Sequence, residues 1–152
     1  MPRVEFRRNL DVRATPDESW SALTDVTRLV GWVSIVEGAV ELSHLEKYTA
    51  VLMDRLGPFK LRADLDVTVS DVKPGESLRV HAEGEDRQVG SRLVVDATLA
   101  VQPRGTGSTV VVDGVYEVSG KVASMGSGTI NKKAEKILEQ FFGAAAEALG
   151  TD

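Results

Sequence analysis

One long amphipathic helix at the end of the chain, with no partner helix of comparable length, limits the folds open to this sequence. From Ile130 the apolar positions fall at Ala134, Ile137, Leu138, Phe141, Phe142, Ala145 and Leu149, while Lys132, Glu135, Lys136, Glu139, Gln140 and Glu147 take the other side. That spacing describes a single wide apolar stripe. A stripe of this width needs a broad apolar surface to lie against, and the rest of the chain offers alternating strands to supply one. The spacing predicts a helix from about Val122 to Leu149, about 42 Å long at about 1.5 Å per residue, enough to span a sheet face.

The strands can be read in turn. Val4, Phe6, Leu10 and Val12 alternate with Glu5, Arg7, Asn9, Asp11 and Arg13, which predicts a half-buried strand carrying Arg8 on its apolar side. Thr15-Pro16-Asp17-Glu18 combines an N-cap, proline at the first helical position and a capping-box glutamate ahead of the helical stretch Ser19 to Leu23. Asp25 caps a second short helix through Leu29, ended near Gly31. From Ile35 strand follows strand, with turn signals at Gly57-Pro58, Lys73-Pro74-Gly75-Glu76, Glu85-Asp86 and Arg104-Gly105-Thr106-Gly107. Phe59, Leu61, Ala63, Leu65, Val67 and Val69 line one face of the clearest strand, and Leu93, Val95, Ala97, Leu99 and Val101 repeat the pattern. Val110, Val112 and Val118 do so again, with Tyr116 among them. One side of the sheet is dry. The expectation is an α+β chain: a strand, two short helices, about six antiparallel strands and a C-terminal helix covering the dry face.

The 152 residues are read as one domain, 1–152, without linker or internal repeat. A net charge of −5 argues against a nucleic-acid surface, which needs clustered Lys and Arg. With no cysteine there is no disulfide, thiolate nucleophile or zinc-thiolate site, and a cytoplasmic location fits. No signal-peptide run is seen in MPRVEFRRNL, and no apolar stretch approaches the length of a membrane span. The two histidines, His44 in a turn and His81 on a polar strand face, have no ligand spacing for a metal and no nucleophile partner. Asp64 and Asp66 fall on the wet face beside Arg62. Gly120, Gly126 and Gly128 lack the spacing of a phosphate cradle and read as packing glycines. No catalytic residue, metal or cofactor is expected.

The apolar surfaces leave a candidate pocket. Small residues at Ala123, Gly126 and Ala134 make room toward the start of the helix, while Leu138, Phe141 and Phe142 fill its later half. Arg8, Ser91 and Tyr116 place polar groups on otherwise dry faces, as small-molecule sites do. The expected wall comprises Arg8, Trp32, Tyr48, Leu61, Leu65, Ser91, Leu93, Val95, Tyr116, Met125, Ile130, Ala134 and Leu138.

The order of elements resembles the helix-grip fold of the START-like (SRPBCC), polyketide cyclase and lipid-transport superfamily. More narrowly, the chain resembles the carbon monoxide dehydrogenase CoxG family. The likeness rests on Ala14-Thr15-Pro16 with Trp20 and Leu23-Thr24-Asp25, and on Tyr48-Thr49-Ala50 leading to Leu56-Gly57-Pro58-Phe59-Lys60. It continues in Ser119-Gly120-Lys121-Val122-Ala123 with Gly126, Ile130 and Gln140-Phe141-Phe142. Where family members tend to carry a cysteine-isoleucine-proline-glycine stretch, this chain has Trp32-Val33-Ser34-Ile35-Val36-Glu37-Gly38, so a differently shaped entrance is expected, with Trp32 near a portal. The resemblance implies a curved sheet of six or seven strands wrapped around the long helix. It also implies a non-enzymatic carrier of an apolar or amphipathic molecule, a quinone or other lipid, serving a redox enzyme of the carbon monoxide dehydrogenase type. A cyclase- or hydrolase-like enzyme using the same cavity is the alternative. No peripheral membrane contact is expected of a chain ending at Asp152.

Overall fold

The computed structural model describes residues 3–151; Met1, Pro2 and Asp152, which the sequence reading took in, lie outside the described residues. The chain runs β1 (Arg3–Val12), α1 (Pro16–Leu23), α2 (Val26–Val30), β2 (Val36–Ser43), β3 (Lys47–Leu56), β4 (Phe59–Lys73), β5 (Ser77–Asp86), β6 (Ser91–Arg104), β7 (Gly107–Gly120), a 3-10 turn (Lys121–Met125) and α3 (Ser127–Leu149). The strands form one antiparallel sheet in the order β1-β7-β6-β5-β4-β3-β2, as the α+β reading expects.

Local chemistry starts each short helix where the sequence places it. The Thr15 hydroxyl accepts the Glu18 N–H at 3.2 Å and the Glu18 carboxylate accepts the Thr15 N–H at 3.1 Å, closing the capping box. Those bonds hold the Glu18 carboxyl below its usual pKa. Asp25 accepts from the N–H groups of Thr27 and Arg28, and α2 ends at Gly31.

Two boundaries differ from the sequence reading. The turn expected at Glu85-Asp86 lies one step later, because the Asp86 carboxylate accepts the N–H groups of Gln88 and Val89 at 2.9 and 3.0 Å and so fixes Asp86 as the last strand residue. The single helix expected from Val122 is also interrupted. Gly126 adopts φ 92° and ψ 154°, conformational space that glycine enters and other residues avoid, and this separates the 3-10 turn from α3. Gly120 alone of the three glycines meets the packing expectation: a Cβ there would lie 2.0 Å from the Gly90 carbonyl oxygen, whereas Gly126 and Gly128 face open space.

The best-packed part of the core gathers at one end. Val12, Ala22, Leu23, Val101, Val110 and Leu149 form a buried cluster, with Trp20, Trp32, Leu99 and Phe141 packed around it. The end of α3 is tied there by the N–H groups of Arg13 and Ala14, which donate to Gly150 and Leu149 carbonyls at 2.7 and 3.0 Å. Buried Ser19 and Ser108 bond each other, and Ser108 donates to the Ala14 carbonyl, so both hydroxyls are paired. At its other end α3 runs over the concave sheet without that filling.

Candidate functional site: an apolar cavity between the sheet and the last helix

The cavity follows from a mismatch of side-chain sizes. Sheet residues Leu61, Ala63 and Leu65 of β4, Leu93 and Val95 of β6, and Tyr116 and Val118 of β7 face Ile130, Ala134, Ile137 and Leu138 of α3. Ala63, Gly84 and Ala134 are small where large residues would meet. At Gly84 the sheet itself forbids filling, since a Cβ would lie 2.1 Å from the Asp64 carbonyl oxygen. A space of about 410 Å³ remains, within the range of small-molecule pockets. Phe6 of β1, Leu52 of β3, and Val33, Ile35 and Val36 around the start of β2 complete the apolar wall.

Of the thirteen residues expected there, the structure brings nine to the wall: Leu61, Leu65, Ser91, Leu93, Val95, Tyr116, Ile130, Ala134 and Leu138. Four lie elsewhere. Arg8 does sit on the dry side of β1, but its guanidinium turns to Glu135 of α3 and to the Arg7 carbonyl. Trp32 packs edge-on against Phe141 with ring centres 5.5 Å apart and joins the core cluster. The buried Tyr48 hydroxyl accepts the Leu45 N–H at 2.9 Å and braces the turn between β2 and β3. Met125 lies over that sheet's next hairpin, its methyl 2.7 Å from where a Cβ on Gly57 would be.

The polar groups of the wall are already engaged. The Tyr116 hydroxyl donates to Asn131 Oδ1 at 2.8 Å, and burial, then the nearby Glu135 charge, raises its pKa. It therefore stays a neutral phenol. Ser91 Oγ accepts the Val122 N–H at 3.0 Å and pins the 3-10 turn. Asp86 accepts the Arg62 N–H at 2.7 Å besides its turn bonds, and these backbone N–H groups hold its carboxyl below the usual range. Lys133 of α3 meets Asp54 of β3 at 3.0 Å, with side chains only 28% and 19% exposed.

Lys133, Asp54, Asp86, Ile137 and Leu52 were not among the expected residues. Period would have found several of them: Lys133 stands three residues after Ile130 and four before Ile137, and Asp54 two after Leu52, so both charges occupy dry-face positions. On the outer sheet face His81 bonds Asp96 at 2.6 Å and Glu83 at 3.3 Å, which raises its pKa, Asp96 contributing most. Among the described residues no cluster is arranged to hold a metal ion. No helix there is long and apolar enough to cross a membrane.

The model of the carbon monoxide dehydrogenase CoxG family matches residues 9–150. The chain belongs to that family. This CoxG family member shares its fold with a conserved protein of Geobacillus kaustophilus: TM-score 0.84, 20% identity, 96% of this chain and 95% of that one covered. A START superfamily protein of Mycobacterium smegmatis is similar at TM-score 0.69 and 13% identity over 95% and 96% of the two chains. Truncated norcoclaurine synthase of Thalictrum flavum is similar at 0.66 and 14% over 99% and 96%. No match was found among curated proteins. The helix-grip, START-like architecture of this CoxG family member is thus established together with its family.

Proposed function

We propose that the protein is a non-enzymatic carrier that holds one apolar or amphipathic small molecule, such as a quinone or other lipid, between α3 and the sheet. In this reading it serves a redox enzyme of the carbon monoxide dehydrogenase type. The observation that carries the reading is the apolar cavity of about 410 Å³ in which each titratable wall group is already committed to a protein partner. Burying apolar ligand surface there is favoured by about 25 cal/mol per Å². A cyclase or hydrolase would need an available acid or base. Here the phenol is neutral and bonded to Asn131, and the Asp86 carboxylate is spent on backbone N–H groups, which supports carriage over catalysis. The family supports the accessory role, and the cysteine-free sequence supports a cytoplasmic setting.

Native mass spectrometry after mild purification, followed by titration with quinones, long-chain alcohols and fatty acids, tests the carrier. The expected result is a one-to-one adduct. A protein that copurifies with nothing and binds none of these would end the proposal. The accessory role has its own test, a mixing experiment with carbon monoxide dehydrogenase. A complex or altered electron transfer is expected, and neither appearing would remove that role while leaving the carrier intact.

A further inference from the structure

Building on the reading of the cavity as a ligand site, we infer that the Lys133–Asp54 pair selects molecules whose polar end is a neutral hydroxyl or carbonyl. Molecules ending in a carboxylate, a phosphate or an ammonium are rejected. The pair bridges α3 to β3 across the cavity wall at 3.0 Å and is largely withdrawn from water.

Among the described residues, the charges of that wall are balanced one by one. Arg92 donates to Glu83 at 3.0 Å. Asp86 is occupied by three backbone N–H groups. Arg8, which reaches α3 from β1, pairs with Glu135. An anionic head entering the cavity would shed its water and meet no uncommitted cation; taking Lys133 for itself would strand the Asp54 carboxylate instead. An ammonium head meets the mirror image of this difficulty.

A neutral oxygen does not. The Lys133 ammonium has three N–H donors and the Asp54 carboxylate several lone pairs, so the pair keeps capacity after bonding itself. A hydroxyl can accept from Lys133 and donate to Asp54 at once, and a carbonyl can accept from Lys133. The chain of such a molecule would then run along Leu61, Leu93 and Ala134.

The test uses three probes of equal chain length, decanol, decanoate and decylamine, displacing Nile red from the full-length protein at neutral pH. Because decanol leaves water more readily than the ions do, the informative quantity is how each variant changes the ratios. Asp54→Asn frees the Lys133 charge: decanoate should tighten by at least about tenfold while decanol changes by less than about threefold. Lys133→Gln frees the Asp54 charge, and decylamine should gain by a similar factor while decanoate does not. Each gain arises in a different variant, so one misfolded protein does not remove the test. Unchanged ratios in both variants, or equal loss of all three probes, would overturn the inference and leave a purely structural pair. If wild-type protein binds neither Nile red nor decanol, the cavity reading itself fails, a result distinct from the first two.

Discussion

Ala134 stands on the α3 face opposite Leu61 and Leu93, and its methyl group is all that the helix puts into that part of the cavity. Ala134→Phe should therefore fill space instead of displacing packed atoms. Probe affinity should fall by at least about tenfold while the melting temperature holds or rises, because cavity filling is a stabilising class of change. Ala145, fully buried in the same helix, is the control: Ala145→Phe should destabilise by about 1–3 kcal/mol through overpacking. A titration and a thermal melt of each variant decide it, and unaltered binding by Ala134→Phe would move the pocket elsewhere. Period alone made such residues legible in the sequence, because Ala134, Leu65 and Tyr116 are pointed by their own strand or helix. Trp32 and Met125 were not, since their directions depend on a loop and a glycine break. The charged pair shows the opposite failing, readable from period yet hidden by the habit of assigning charge to water. Titrating groups give a further test. His81 has a raised folded pKa, so its stabilisation is complete below the ordinary histidine value of about 6.5 and is lost as pH climbs through the higher folded value. The stability gap between wild type and His81→Gln should accordingly shrink from mildly acidic to mildly alkaline buffer. Asp86 has the other sign: its contribution is present above the ordinary carboxylate value and is lost as pH falls through the lowered one. Chemical denaturation across pH, read for wild type against Asp86→Asn, should show a gap that narrows only in acid.

At the scale of elements, α3 shows how far a hydrophobic pattern reaches. The stripe from Ile130 to Leu149 was visible because a helix 23 residues long repeats its face many times. Its beginning was not, because one φ angle decides it. Gly126 breaks what would otherwise be continuous, and the break lets the 3-10 turn pack back through Val122, whose N–H is held by Ser91. Two glycines two positions apart should thus respond in opposite ways. Gly126→Ala has open space for the methyl but a backbone conformation that alanine avoids, and it should cost about 1–3 kcal/mol. Gly128→Ala lies within α3 with equal space and no positive φ, and should stabilise by about 0.5–1 kcal/mol. Urea midpoints of the two variants check this, and equal shifts would mean that the Gly126 conformation is not what separates the two helical segments. The hairpins were easier, since turn chemistry marks them locally. Only the β5–β6 turn slipped, where a strand residue, Asp86, does the capping with its side chain.

Across the whole molecule, firmness and space are divided along a single helix. The late part of α3 is fixed against β1 and α1 by Leu149, Ala145 and the backbone bonds from Arg13 and Ala14. The early part is held over the cavity by side chains reaching in both directions: Asn131 to Tyr116 and Glu135 to Arg8 on one flank, Lys133 to Asp54 on the other, with Gln140 bonded to Ser34 further along. Polar bridges of this kind are weaker than a packed core, because each exchanges water contacts for protein contacts at small net gain. The early part of α3 should therefore open more readily than the late part in the empty protein. A molecule in the cavity adds apolar contacts to Ile130, Ala134, Ile137 and Leu138, and so stabilises the segment that otherwise has least beneath it. Hydrogen exchange should show amides from about Ile130 to Leu138 slowing when the protein is saturated with ligand, while those near Ala145 change little. The accompanying rise in global stability should approach about 2.7 kcal/mol at a free ligand concentration of about 100 times Kd. Uniform slowing along the helix would mean that ligand stabilises only the molecule as a whole. No slowing, with binding demonstrated, would place the ligand away from α3 and separate the carrier function from the cavity that suggested it.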